Sequence, residues 1–272
     1  MKPARVLVLG HRGMLGHIAE RYFRGRGFEV LTLGERFDLG SPGTFIDAVR
    51  AAQPDVALNA IGLIKQRESD PAALLSVNAA LPVLLRLALP PEALLVQPST
   101  DCVFSGTTGW YAVDAIRDAT DAYGLSKILG ETVASYPRTM VVRTSIVGPE
   151  LAGGSHGLLG WFLSQRPGAT VRGYTDHLWN GLTTLEWCKV VEEVLASPSS
   201  TCERSVIVQL GTERRWTKAE ILLMFRETYR RDVRVEPAPS GHPLDRTLCP
   251  TMVRRPLEEQ LRELAAFETL SG

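Results

Sequence analysis

The chain has 272 residues, 44% of them apolar, and its 30 Lys and Arg balance 30 Asp and Glu to a formal charge of zero. Nucleic-acid backbones and anionic membranes are gripped by clustered cations, and no run of five like charges is present to do either. The four cysteines (Cys102, Cys188, Cys202, Cys249) lack paired spacing, which argues against zinc ribbons or a disulfide framework and for a reducing, cytoplasmic setting.

Two hydrophobic periods alternate from the N-terminus, where the apolar run is too short for a signal peptide. Arg5–Leu9 reads as a buried parallel strand and Met14–Arg24 as a helix stopped by Gly25 and Gly27. Glu29–Leu33 is the next strand, Gly43–Ala52 a helix opened after Ser41-Pro42, and Val56–Asn59 a third strand. A long helix is expected at Ala72–Leu89, a strand at Leu94–Gln97, a helix at Ala122–Ser135 and a strand at Met140–Val147. No stretch of 18 consecutive apolar residues interrupts this pattern.

Strand–helix alternation of this kind predicts an α/β fold, a Rossmann-type doubly wound parallel sheet, because each crossover must return across the sheet. Past Gly148-Pro149 the texture changes to a glycine-rich Leu151–Gly160 and a loop-like stretch flanked by Trp161 and Trp179. Helices are then expected at Leu185–Leu195, Lys218–Tyr229 and Leu257–Phe267, and strands at Ser205–Leu210 and Val233–Glu236. The expected organisation is an NAD(P)-binding core over 1–149, with 184–211 returning to it. Residues 150–183 and 212–272 are expected to build a smaller C-terminal substrate-binding subdomain.

Gly10-His11-Arg12-Gly13-Met14-Leu15-Gly16 joins the first strand to the first helix. Glycines at this spacing supply a tight turn, close backbone approach to a pyrophosphate, and a helix N-terminus whose unpaired N–H groups face it. The end of the second strand selects the dinucleotide. Arg36, with Arg12 nearby, suits the 2′-phosphate of NADP(H), whereas Glu35 suits the ribose of NAD(H) if that strand runs longer.

Tyr123 and Lys127 stand at i and i+4 on one helix face, and Ser99-Thr100-Asp101 ends the preceding strand. Ligands in open α/β sheets bind at the carboxyl ends of the strands, so the Thr100 hydroxyl and the Tyr123 phenol can meet on one carbonyl. A neighbouring lysine charge is expected to lower the tyrosine pKa.

With these pieces in place the chain resembles the extended short-chain dehydrogenases/reductases, in particular the dTDP-4-dehydrorhamnose reductase group. The resemblance rests on the glycine loop, Asp38-Leu39, Asn59-Ala60-Ile61-Gly62, Val77-Asn78-Ala79, Ser99–Phe104, Tyr123…Lys127 and Arg143-Thr144-Ser145, in order over about the first 150 residues. It implies that Asp38 and Leu39 lie near the adenine and that Asn59, Ala60, Ile61, Asn78 and Ser99 line the dinucleotide. It also implies that Thr100, Tyr123 and Lys127 are the catalytic three, with Lys127 holding the nicotinamide ribose. The chain departs from that group at Cys102, where a Tyr is usual, and across Trp179–Thr184.

A second likeness, to the GDP-fucose synthase group, rests on Cys102 two residues past the catalytic hydroxyl and on Gly154-Ser155-His156. A thiol and an imidazole on opposite faces of a ketosugar can exchange protons beside the carbonyl, so Cys102 and His156 join the candidate catalytic residues. The alternative is a small apolar Cys102 and a loop histidine. Lys65, Arg67, Arg172, Arg246 and Arg254 are candidates for a diphosphate, and Trp161 and Trp179 for stacking or core packing. His11 and His17 flank the glycine loop without metal-ligand partners, so no metal is expected.

The leading expectation is an NADPH-dependent reductase of a nucleotide-activated 4-keto-6-deoxy sugar, an oxidoreductase of polysaccharide biosynthesis with Tyr123 as general acid. Two alternatives stay open: an epimerase or epimerase-reductase using Cys102 and His156, and a non-catalytic NADP-binding regulatory subunit. The expected partner is a nucleotide sugar, with neither nucleic acid nor membrane, and the family-level assembly is a homodimer.

Overall fold

The computed structural model of the chain describes residues 4–151, 154–196 and 206–269. β1 (Arg5–Leu9) is buried at four of its five positions, as a strand covered on both faces must be. It leads into α1 (Met14–Gly25), where Leu15, Ile18, Ala19, Tyr22 and Phe23 recur at helical spacing on the buried face. β2 (Glu29–Leu31), α2 (Gly43–Ala52) and β3 (Val56–Asn59) follow. The next helix is interrupted: α3 (Pro71–Leu75) and α4 (Leu81–Ala88) are joined by a π turn, Ser76–Ala80. Asp70 caps its start, its carboxylate accepting from the Ala72 and Ala73 N–H groups.

The chain continues through β4 (Leu94–Ser99), a 3₁₀ turn at Asp101–Val103, and α5 (Ala122–Gly130) with a 3₁₀ extension, Glu131–Ser135. β5 (Thr139–Arg143) and β6 (Ile146–Val147) complete the first half. The second half holds α6 (Leu158–Leu163), β7 (Ala169–Tyr174), β8 (His177–Trp179), β9 (Leu182–Thr183), α7 (Thr184–Ala196) and β10 (Val206–Thr212). β11 (Trp216–Thr217), α8 (Lys218–Thr228), β12 (Val233–Ala238), β13 (Leu244–Asp245), β14 (Met252–Arg254) and α9 (Leu257–Thr269) end the chain.

Seven strands form one sheet in the order β14-β10-β5-β4-β3-β1-β2, with every pairing parallel. The chain moves outward from β1 to β2, then restarts on the other side with β3. The β1/β3 boundary is therefore the switch point, where the crevice at the carboxyl edge receives a ligand. Side-chain alternation splits the core between the faces. Val6 and Val8 pack with α1, α7, α8 and α9, whereas Leu7 and Leu9 pack with Phe45, Leu81 and Leu85.

The α/β class and the parallel sheet agree with the sequence, but several boundaries move. β2 ends at Leu31, two residues short, and β4 runs on to Ser99. The strand expected over Met140–Val147 breaks after Arg143. Ile146 and Val147 leave the sheet to pair with Leu182 and Thr183 of β9. The stretch between Trp161 and Trp179 is not a plain loop, because β7 pairs in parallel with β12 and β8 takes β11 and β13 as neighbours. β14 lies on the edge of the large sheet beside β10, so part of the segment assigned to the substrate subdomain is a sheet strand. Ser205, the expected start of β10, and Cys202 lie outside the described residues.

Helix 71–88 has a mean hydropathy of 1.6, apolar and long enough by composition to cross a membrane. Its Leu74, Leu81 and Leu85 are nonetheless buried, the latter two against the sheet.

Candidate active site

The glycine loop closes on itself. Gly10 adopts φ +73°, and a Cβ there would sit 2.8 Å from the Ala60 carbonyl and the Ile61 nitrogen. A Cβ at Gly16 would collide with the Gly10 carbonyl, and the Gly13 N–H donates to that oxygen at 2.8 Å. Gly13 caps α1 with no side chain of its own, and the first turn carries no acidic residue. The N–H groups of Met14 and Leu15 thus open α1 toward the crevice with no side-chain acceptor, a positive end suited to a pyrophosphate. The Leu15 side chain turns into the core, so only its backbone is available there. His17 donates from Nδ1 to the Gly13 carbonyl at 2.8 Å, and burial lowers its pKa, which makes it a neutral strut of the loop.

Beyond β2, Glu35 and Arg36 are exposed, as is Arg12, and none of the three forms an ion pair among the described residues. Asp38 accepts from the Gly40 N–H at 2.9 Å and the Ser41 hydroxyl at 3.0 Å, shaping the turn into α2, while Leu39 is exposed. Buried Asn59 donates to Gln97 at 2.7 Å and accepts from the Ile61 N–H at 3.3 Å. It sets the path of Ala60 and Ile61 against Gly10.

Two residues expected on the dinucleotide are turned elsewhere. Asn78 is 2% exposed, and its amide is spent on Leu63 N–H (3.0 Å), Leu63 carbonyl (2.9 Å) and the Ser126 hydroxyl (3.0 Å). It fastens the segment after β3 to α5. Ser99 donates to Glu131 at 2.6 Å beneath the site. In both cases a polar side chain at the right chain position satisfies the protein itself.

Thr100 ends β4, accepts the Cys102 N–H at 3.1 Å and donates to Asp101 at 3.0 Å. Tyr123 lies in the first turn of α5, which Asp121 caps through the Gly124 N–H at 2.9 Å, and its phenol is close enough to the Thr100 hydroxyl to feel it electrostatically. Gly124 permits this approach, since a Cβ there would lie 2.7 Å from the Cys102 carbonyl. One turn on, Lys127 donates from Nζ to the Pro98 carbonyl at 2.8 Å. The structure thus brings Thr100, Tyr123 and Lys127 together at the carboxyl end of β4.

Their electrostatics differ from the expectation of a phenol softened by lysine. Burial, then the Cys102 and Asp101 charges, push the Tyr123 pKa up, so the phenol keeps its proton. Burial pulls Lys127 down to about 8, against the opposing pull of the Glu131 carboxylate.

Cys102 does not continue the strand; it sits in the 3₁₀ turn, with Arg246 Nη1 3.5 Å from its sulfur. Burial raises its thiol pKa to about 11, which disfavours a thiolate base. His156 is exposed and lies 3.5 Å from Glu150, with no contact to Cys102 among the described residues. Arg254 is held by Glu186 and Glu193 and so is not free for a diphosphate. Trp179 is buried in the core, Trp161 and Arg172 are exposed, and Lys65 and Arg67 stand on the exposed segment after β3. Among the described residues no cluster of His, Cys, Asp and Glu could hold a metal.

Two features were not singled out from the sequence. Glu131 and Arg143, each with a side chain 1% exposed, form a bidentate pair at 2.8 and 2.7 Å. Arg117 and Ser99 add to Glu131, and Gln209 to Arg143, so the pair bolts β4, α5, β5 and β10 together under Thr100, Tyr123 and Lys127. Glu131 one turn after Lys127 was a usable signal. The second feature is Lys218, which opens α8 and faces Asp101 and Cys102 from a segment far away in sequence.

Fold and site together define a Rossmann-type protein of the extended short-chain dehydrogenase/reductase kind. Residues 4–157 match the model of the RmlD substrate binding domain, more than half of the chain, and the chain belongs to that family. No curated protein matches it in sequence. Among solved structures it is similar to a dTDP-4-dehydrorhamnose reductase from Clostridium acetobutylicum, at 19% identity and TM-score 0.80, covering 97% of this chain and 99% of that one. A dTDP-4-dehydrorhamnose reductase from Bacillus anthracis in complex with NADP gives 16% identity and TM-score 0.80, covering 96% and 98%. The Bordetella bronchiseptica enzyme WbmG, in complex with NAD and UDP, gives 15% identity and TM-score 0.74, covering 99% and 96%.

Proposed function

We propose that the protein is an NADPH-dependent reductase of a nucleotide-activated 4-keto-6-deoxy sugar. The observation that carries this reading is the convergence of Thr100, Tyr123 and Lys127 at the end of β4, beside a glycine loop with an uncapped helix N-terminus. Family membership and relatives solved with NADP, or with NAD and UDP, support it. The loop residues Gly10, Arg12, Gly13, Met14, Leu15 and Gly16 would hold the pyrophosphate, through backbone N–H groups except at Arg12. Arg36 would take the 2′-phosphate; Glu35 beside it keeps NAD as the second dinucleotide.

The chemistry supplied by bound NADPH is hydride donation to the keto carbon. The chain does the rest. Tyr123 gives its phenolic proton to the carbonyl oxygen as that oxygen gains charge, and the Thr100 hydroxyl, turned away from Asp101, donates to the same oxygen. Lys127 releases Pro98 and places its ammonium beside the ribose and the phenol, steadying the phenolate left behind. Hydride and proton together convert ketone to alcohol, so the reaction is balanced without a metal.

The test is NADPH oxidation with a panel of 4-keto nucleotide sugars. Turnover with one of them, cut at least 100-fold in Tyr123→Phe, is the expected result; full turnover in that variant overturns the mechanism. Solvent deuterium uptake beside the keto group, lost in Cys102→Ser, would instead mark the epimerase reading. The reading further makes the protein a soluble biosynthetic enzyme, with a homodimer as the assembly to check by light scattering.

A further inference from the structure

The Glu131 carboxylate lies one helical turn beyond Lys127, on the same face of α5 and its 3₁₀ extension. Its Oε1 accepts from the Ser99 hydroxyl of β4 at 2.6 Å and from Arg143 Nε of β5 at 2.8 Å. Its Oε2 accepts from Arg143 Nη2 at 2.7 Å and from Arg117 Nη1 at 2.9 Å. Lys127 Nζ, for its part, donates to the carbonyl of Pro98, the residue before Ser99. Carboxylate and ammonium are thus seated on consecutive residues of one strand end, and the next residue is Thr100.

Few charges reach the half-buried lysine. Glu131 acts on it from its own helix, and the Cys102 sulfur, a neutral thiol until about pH 11, from the 3₁₀ turn after β4. Tyr123 keeps its proton, Pro98 offers only a carbonyl, and Asp101 faces Thr100 and Lys218. Glu131 is itself ionised: burial works against its charge, but Arg143, Ser99 and Arg117 outweigh it and hold its carboxyl below the usual range.

Two arginines share that carboxylate with the lysine. Arg143 is buried, and its Nη1 is further held by Gln209 and the Val113 carbonyl. Arg117 reaches in from the segment before α5, with its side chain 39% exposed, and offsets part of the charge available to Lys127. We infer that Glu131 is the positioning residue of Lys127, holding its ammonium charged at the end of β4, and that Arg117 sets how strongly it does so. The inference rests on the reductase reading, in which that ammonium steadies the Tyr123 phenolate, and deepens it.

Two readouts test it. NMR titration of ¹³C-labelled lysine side chains, with Lys127 assigned through Lys127→Arg, follows the charge without turnover; kcat/KM against pH follows it in the reaction. Glu131→Gln should move the Lys127 midpoint and the alkaline limb down by about one pH unit, and Glu131→Asp should restore both to within about half a unit of wild type. Arg117→Met, which removes a competing cation, should move both up by about half a unit. Ser99→Ala loosens the same carboxylate but keeps its charge, and should leave the midpoint within about 0.2 unit of wild type. Arg117 is partly exposed, so Arg117→Met reads the coupling even where Glu131→Gln fails to fold.

An unmoved midpoint in Arg117→Met overturns the inference. So does movement of Arg117→Met and Glu131→Gln in the same direction, or a Ser99→Ala midpoint as low as that of Glu131→Gln. Midpoints that move as stated while the alkaline limb stays in place overturn the role in turnover and leave the reductase standing. Midpoints that move as stated in a protein that turns over no ketosugar overturn the reductase and keep the coupling.

Discussion

Lys127 sets the pH range of the site. Its pKa near 8 means that the ammonium is present below that pH and discharged as pH rises through it. Because kcat/KM reports the free enzyme, it should be flat toward neutral pH and fall on an alkaline limb near 8, with Tyr123 still protonated there. A profile rising through pH 8 would contradict this. Glu131 is a different kind of residue. Glu131→Gln strips a buried arginine of its charge partner and should cost about 3–5 kcal/mol in urea unfolding. Ser99→Ala removes one hydroxyl from the same carboxylate and should cost only about 1 kcal/mol. The convergence of Thr100, Tyr123 and Lys127 was legible because their spacing on one helix and one strand end is local. That Ser99 and Asn78 spend their side chains on the protein itself was not legible, because a sequence shows that a residue is polar but not which way its side chain turns. Lys218 was invisible since it meets Asp101 only through the fold.

At the scale of elements, the π turn is the most consequential irregularity. It brings the Asn78 carbonyl against Gly130, where a Cβ would collide with it, and aims the Asn78 amide at Leu63. Asn78→Ala should therefore cost about 2–3 kcal/mol by orphaning buried partners. It should also loosen the segment after β3, seen as faster amide exchange at Leu63. Periodicity located the long helices and the sheet strands because those elements carry several repeats. It missed β8, β9, β11, β13 and β14, each of two or three residues and too short to show a period, and also the six-residue β7, which lies in the stretch read as loop-like. The break after Arg143 was hidden for a related reason, since the apolar pattern runs on while the partner strand changes.

At the scale of the whole molecule, the glycine loop and the Thr100–Tyr123–Lys127 group come from the first half, and Arg246 reaches the Cys102 turn from the second. The C-terminal residues also close the sheet. β14 covers the edge of β10, and Leu257, Leu261 and Leu264 of α9 complete the core beside α7. A chain cut before residue 250 should lose that cover and fail to give a cooperative unfolding transition; a soluble, cooperatively folding fragment would refute this. The doubly wound sheet was legible from alternation alone. The return of β14 was not, because three residues carry no signal of where they pair.

The strand order β14-β10-β5 also sets a schedule for synthesis. Once β5 leaves the ribosome the crevice-forming strands are all present, yet β5 is a bare edge until β10 follows about 60 residues later. At the usual 5–20 residues per second that interval lasts about 3–12 s. During it the buried Arg143 lacks Gln209 and the nascent sheet offers open hydrogen bonds to any neighbouring strand. The vulnerable moment in this protein's life falls between those two strands, and slower translation across residues 144–205 should raise its aggregation.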